Sequence, residues 1–278
     1  MFFAKYHALG NSYLVAPAWF GSSSPVPGEV SRLCDTRLGI GSDGLLHGPL
    51  SSTVADFRLR IFNPDGSEAE KSGNGLRIFC MFLWDERLVG DAPFTVETKG
   101  GIVTAQVLES GRLVRVAMGK VCFSSADIPV AGPHRDVLME KIVLGNTSFQ
   151  FCAATVGNPH CVVLVERPSE AQARQYGPVI EQHPMFPNRT NVQFMQVLDR
   201  HNIRIEIWER GAGYTYASGS SSCAAAAVAY RLGLCESNIA VHMRGGVIDI
   251  AVDPHFNVQM TGPVVRVCKG TVAHECIA

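Results

Sequence analysis

Short runs of alternating apolar and polar positions recur along the chain, separated by Gly, Pro, Asn and Asp. The runs Ser12–Val15, Phe57–Phe62, Phe94–Glu97, Ile102–Val107 and Leu113–Met118 read as strands. So do Gln150–Thr155, Cys161–Leu164, Ile203–Trp208, Ala240–Met243 and Val247–Val252. Alternation with period 2 places the apolar set on one face of a sheet. Two segments break the pattern. Asn74–Leu88 and Ser220–Leu234 carry apolar residues at helical spacing, and each opens directly after a Ser-Gly pair. Asp65-Gly66, Gly100-Gly101 and Gly245-Gly246 are turn signals, the last two read as equivalent hairpin tips. Many strands with one helix in each half predict an α+β fold in which a curled β-sheet wraps a central helix.

The halves repeat one another. Phe57–Phe62 (FRLRIF) answers to Ile203–Trp208 (IRIEIW) at an offset of 146, and Ser72-Gly73-Asn74-Gly75 answers to Ser218-Gly219-Ser220-Ser221 at the same offset. Val96–Val103 matches Val241–Ile248 at 145, and Gly10-Asn11 has its counterpart in Gly157-Asn158. Solenoid units run to roughly 20–50 residues, so a period this long means one duplicated domain. The expected organisation is two pseudo-symmetric halves, 1–119 and 120–262, with a crossover near residue 120 just ahead of Asp127–Pro133. Residues 263–278 have no partner in the first half's order and are expected to run back to it.

A chain of 278 residues, 46% hydrophobic and 18% charged, suffices for two cores and falls outside the disordered class. A net charge of −1 offers no footprint for nucleic acid or an anionic membrane. The longest alanine-rich stretch, Cys223–Tyr230, is far too short to span a bilayer. The opening residues MFFAKYHALGNSY lack the basic and apolar regions of a secretion signal, so a cytoplasmic protein is expected. Nine scattered cysteines, with no C-x-x-C, do not resemble a disulfide frame or a zinc site.

Ser72 and Ser218 stand at the two predicted helix N-termini, where unsatisfied N–H groups and the helix dipole favour a carboxylate or phosphate. A lone Ser-Gly there is ordinarily only a cap. The duplicated flanking turns turn the reading toward a site lined by equivalent loops, with the two serines on opposite sides of one substrate carbon. Around them lie Asn11, Asn63, Asn158, His160, Asn191, Glu209 and Arg210, with Asn63 and Glu209 at equivalent places. A guanidinium grips a carboxylate bidentately, and amides can serve both ends of an amino acid. The ligand class expected is a small amino acid, with neither nucleic acid nor membrane as a partner. A homodimer is left open.

The stretches His7–Asn11, Gly39–Gly44, Arg60–Glu70, Gly73–Gly75, Gly157–His160, Phe186–Val192, Trp208–Gly213 and Cys223–Ala226 resemble, in order and over nearly the whole chain, the diaminopimelate epimerase family. The resemblance implies epimerisation or racemisation with neither pyridoxal phosphate nor metal. It implies that Asn63, Asn158, Asn191 and Arg210 recognise the distal amino-acid end of the substrate. It further implies that His160 and Glu209 assist the proton-transferring pair and that Asn11 lines the cleft. Gly73, Asn74, Gly219 and Ser220 join the substrate-binding set as the residues that open the two helices.

The departure lies in the chemistry. Where the family has cysteines this chain has Ser72 and Ser218. A thiol titrates near pKa ~8.5 and is lowered further at a helix N-terminus, whereas a serine hydroxyl is a much weaker acid. Three explanations stand side by side. The chain is an epimerase whose cysteines were replaced by design to trap a substrate, or a natural paralogue running another isomerisation, cyclisation or elimination through His160, Glu209 or a hydroxyl, or a non-catalytic amino-acid-binding protein.

Overall fold

The computed structural model describes residues 1–19 and 24–276. The chain divides into two compact units: Met1–Ala117 together with Thr261–Ala278, and Met118–Met260. The final two residues of the returning segment lie outside those described.

The first unit's strands pair in a fixed order. Phe2–Ala8 runs antiparallel to Asn11–Ala16, which is parallel to Leu45–Leu50. That strand is antiparallel to Phe57–Phe62, which is parallel to Phe94–Thr98, itself antiparallel to Gly101–Leu108. The second unit repeats the sequence of senses through Thr147–Thr155, Pro159–Leu164, Asn191–Asp199, Asn202–Glu209, Asn238–Met243 and Gly246–Val252. A parallel step needs a crossover, and in each unit both of these steps are bridged by a helix. The returning strand Val265–Thr271 pairs antiparallel with Phe2–Ala8, so the chain's end completes the sheet of its first unit.

Four α-helices are present among the described residues, α1 (Pro27–Cys34), α2 (Gly73–Asp85), α3 (Glu170–Glu181) and α4 (Gly219–Arg231), with one 3-10 turn at His274–Cys276. Eleven of the 13 residues of α2 are buried, and ten of the 13 of α4, so each is covered on nearly every side and forms the centre of its unit. Both begin one residue earlier than the apolar spacing predicts and end three residues sooner. The left-handed residues Arg87 (φ 57°) and Gly233 (φ 71°) close them. There Leu88 N–H bonds to Leu83 O and Leu234 N–H to Ala229 O, turning the chain out of the helix.

The sequence expectation of one helix per half is incomplete. α1 places Val30, Leu33 and Cys34 in a core with Phe3, Leu14, Trp19, Leu45 and Phe62. α3 places Ala173 and Ile180 in a core with Phe151, Phe186, Phe194 and Val192. Neither carries a full apolar stripe, so neither announces itself by periodicity.

Candidate active site

In the first unit the chain enters α2 through Ser72, whose backbone is extended (φ −139°, ψ 118°) and whose Oγ accepts the Gly75 N–H at 3.1 Å. That is an N-cap bond, and it fixes the hydroxyl at the positive end of the helix. Asn74, the second helical residue, donates from Nδ2 to Asn11 Oδ1 at 3.0 Å, and its own Oδ1 accepts from the fully buried Arg77 guanidinium at 2.9 Å. The Tyr13 hydroxyl lies 3.1 Å from Ser72 Oγ. Asn63 sits in the turn that ends strand Phe57–Phe62, where its Nδ2 donates to Ser67 Oγ at 3.0 Å.

The second unit builds the same end on α4. Ser218 is extended (φ −145°, ψ 124°), and its Oγ accepts from Ser221 N–H at 3.4 Å. Ser220, at the position equivalent to Asn74, accepts from Asn158 Nδ2 at 3.4 Å, as Asn74 bonds Asn11 in the first unit. The N-cap bond and the bond from the preceding Gly-Asn turn are thus both duplicated. Neither α2 nor α4 has an acidic residue in its first turn, whereas α1 has Glu29 and α3 has Glu170. The two serine-capped ends therefore keep their positive character, which an incoming anion can use.

His160 is fully buried, and that burial pushes its pKa down to about 3, a hydrogen bond from Gln193 opposing the shift and the nearby Arg210 charge adding to it. Gln193 Nε2 donates to Nδ1 at 3.1 Å, which leaves the ring proton on Nε2 to be donated to Asn158 Oδ1 at 3.0 Å. Both nitrogens of a neutral imidazole are thereby spent on amides. The ring holds Asn158 in place, and its one proton is committed to that bond. Gln193 also donates to Ser221 Oγ at 3.0 Å, tying the His160 strand to the first turn of α4.

Asn191 is buried, with Nδ2 donating to Pro159 O at 2.8 Å and Oδ1 accepting from Arg210 N–H at 3.0 Å. Each end keeps one further hydrogen-bonding capacity. The exposed Arg210 donates from its guanidinium to Asn188 O at 3.0 Å. Glu209 ends strand Asn202–Glu209 opposite Gly213 and begins the tight turn that carries Arg210. The buried carboxylate of Glu181, at the end of α3, organises this corner. It accepts from Trp208 Nε1 at 2.7 Å and Gly211 N–H at 2.9 Å, and pairs with Arg189.

The structure accordingly gathers Asn11, Ser72, Gly73 and Asn74 in the first unit, with Asn63 in its own turn nearby in sequence. It gathers Asn158, His160, Asn191, Arg210, Ser218, Gly219 and Ser220 in linked bonds of the second, with Glu209 at their edge. Sequence reasoning overlooks Tyr13, Gln193 and Glu181. Tyr13 carries a usable signal, since it precedes His160 by 147 residues, the spacing of Asn11 and Asn158. The other two are ordinary polar residues of their segments, whose partners only the fold reveals.

Two units of matching strand order, each with a serine-capped central helix, define a duplicated fold of the epimerase and racemase class. The family model described as diaminopimelate epimerase matches residues 3–124 and 152–267, and this chain belongs to that family. The protein named diaminopimelate epimerase 2 of Nostoc sp. is 56% identical over 278 residues, covering all of this chain and 98% of that one. The diaminopimelate epimerase of Moorella thermoacetica is 42% identical, over 97% of this chain and 98% of its own. The crystal structure of a probable proline racemase from Agrobacterium radiobacter shares the fold. It superposes with a TM-score of 0.73 at 18% identity, over 98% of this chain and 93% of that one. The chain is thus an isomerase by family, as the motifs led one to expect. Among the described residues no helix is long and apolar enough to cross a membrane.

Proposed function

We propose that the chain acts on diaminopimelate, with Ser72 and Ser218 as the hydroxyls that exchange a proton with one α-carbon from its two faces. The observation that carries this reading is the matching construction of the α2 and α4 N-termini, each with its serine cap, a tie to the asparagine of its Gly-Asn turn and no acid in the first turn. Such an end stabilises the negative charge that develops on a deprotonated amino acid. Arg210, Asn63, Asn158 and Asn191 hold the end that does not react, and Asn11, Gly73, Asn74, Gly219 and Ser220 shape the site around the reacting end. The neutral, amide-locked His160 acts by placing Asn158. Glu209 is the ionisable group at the edge of this set, suited to orienting the reacting ammonium group. Thiols would do the same work faster, because a hydroxyl resists ionisation at neutral pH.

Calorimetry tests the substrate assignment. Diaminopimelate should bind the unaltered protein, and Arg210→Ala should weaken binding by about 1.5–3 kcal/mol, the usual worth of a charge-assisted hydrogen bond. Equal affinity in the two forms would remove Arg210 from the site and the head-group assignment with it.

A further inference from the structure

The two halves are alike in backbone and unlike in what stands beside each serine. Residue 13 and residue 160 are equivalent positions, each two residues past the Asn of its Gly-Asn turn. In the second unit this position is His160, whose two nitrogens are engaged by Gln193 and Asn158. In the first unit it is Tyr13, and its hydroxyl goes to the serine itself, 3.1 Å from Ser72 Oγ. The ring is 7% exposed and closely fitted. A Cβ at Gly44 would come within 2.5 Å of Tyr13 Cε1, so a residue larger than glycine there would displace the phenol from the serine.

We propose that Tyr13 is the positioning residue that makes Ser72 competent in proton transfer, by exchanging a proton with Ser72 Oγ as Oγ exchanges one with the α-carbon. This rests on the reading that Ser72 meets the α-carbon of the substrate. In the donating direction the Ser72 O–H bond breaks as the new C–H bond forms. The Tyr13 phenol then gives its proton to Oγ, leaving a phenolate that solvent reprotonates. In the removing direction the Tyr13 phenol first gives its proton to solvent; the C–H bond then breaks, its proton goes to Ser72 Oγ, and the former hydroxyl proton of Ser72 passes to the Tyr13 phenolate. No oxidant, metal or second substrate enters. A phenol titrates near pKa ~10, several units closer to neutrality than a serine hydroxyl, so it takes up the charge that an isolated alkoxide would have to bear. The Gly75 N–H bonded to Ser72 Oγ steadies the same oxygen from the helix side. Because Tyr13 has no equivalent at Ser218, the two faces of the reaction are unequal, and the Ser72 face is the faster one.

The test is solvent-deuterium exchange at the α-carbon of diaminopimelate, read with calorimetry on the same samples. Four proteins are compared: the unaltered chain, Tyr13→Phe, Ser72→Cys and the double variant Tyr13→Phe/Ser72→Cys. Tyr13→Phe should slow exchange by about 10²-fold or more, the usual contribution of acid–base assistance, with affinity unchanged. In the Ser72→Cys background the same change should matter little, because a thiol ionises without help. A purely structural tyrosine would slow both backgrounds alike, and that result would overturn the proposal. So would exchange at full rate in Tyr13→Phe, or an unaltered protein that binds diaminopimelate without exchanging its α-proton. Failure of the unaltered protein to bind diaminopimelate would instead overturn the substrate assignment first, and the relay with it.

Discussion

A buried imidazole flanked by two amides is a different object from the exposed histidine that usually moves protons. His160 stays neutral down to about pH 3, whereas an unfolded chain protonates the same ring near 6.5. Above pH 6.5 neither state carries the charge and stability does not change. As pH falls from 6.5 towards 3, the unfolded chain gains a proton that the folded one refuses. Stability is therefore lost over that window at up to about 1.4 kcal/mol per pH unit. Urea unfolding of the unaltered protein should show this slope between pH 6.5 and 5, above the carboxylate range, and His160→Gln should flatten it. Equal slopes in both proteins would mean that the ring protonates in place. The sequence shows His160 as a motif residue beside Asn158, which invites a catalytic reading. Gln193, the residue that fixes its proton, is one of several polar positions in its strand and carries no message until strands Pro159–Leu164 and Asn191–Asp199 are paired.

At the scale of elements, serine caps by themselves prove little. α3 also begins on a serine, Ser169, whose Oγ accepts from Gln172 N–H at 3.2 Å, just as Ser72 and Ser218 do in α2 and α4. What separates the last two is the glycine at the first helical position, the tie to a Gly-Asn turn and the missing carboxylate. Ser169 is therefore an internal control. Ser169→Ala should cost about 0.5–2 kcal/mol of stability and leave α-proton exchange untouched, while Ser72→Ala should cost a similar amount and abolish exchange on its face. Chemical denaturation paired with the exchange assay separates the two effects, and equal exchange in both variants would reduce Ser72 to a cap. The same contrast explains which helices the sequence disclosed. α2 and α4 are apolar on nearly all sides and stand out from the strands around them. α1 has eight residues, and α3 contains Pro178 and buries only Ala173, Gly177, Ile180 and Glu181, so helical spacing is too thin to see in either.

For the whole molecule the informative feature is duplication without identity. The repeat was visible in the sequence because strand pattern, turn glycines and helix start all recur at one spacing, and the order of strand pairing repeats with it. The repeat sets Tyr13 against His160, and the hydrogen bonds show what that difference does, Tyr13 turning to Ser72 and His160 to Asn158 and Gln193. Inversion of a carbon needs a base on one face and a donor on the other, so under the proposed function it needs both serines, whereas exchange with solvent needs only one. Placing a thiol in one half should therefore separate the two outcomes. Ser72→Cys or Ser218→Cys alone should speed α-deuterium incorporation into diaminopimelate without efficient inversion, and Ser72→Cys/Ser218→Cys should add inversion. Of the single variants, Ser218→Cys should gain more over the unaltered chain in exchange at its own face, because the second unit has His160 at the position equivalent to Tyr13. Chiral analysis of the recovered diaminopimelate, together with its deuterium content, reads both quantities from one reaction. Should the double variant neither exchange nor invert, the site would have been rebuilt around another substrate. The head-group residues, rather than the serines, would then be the place where this chain left the chemistry of its relatives.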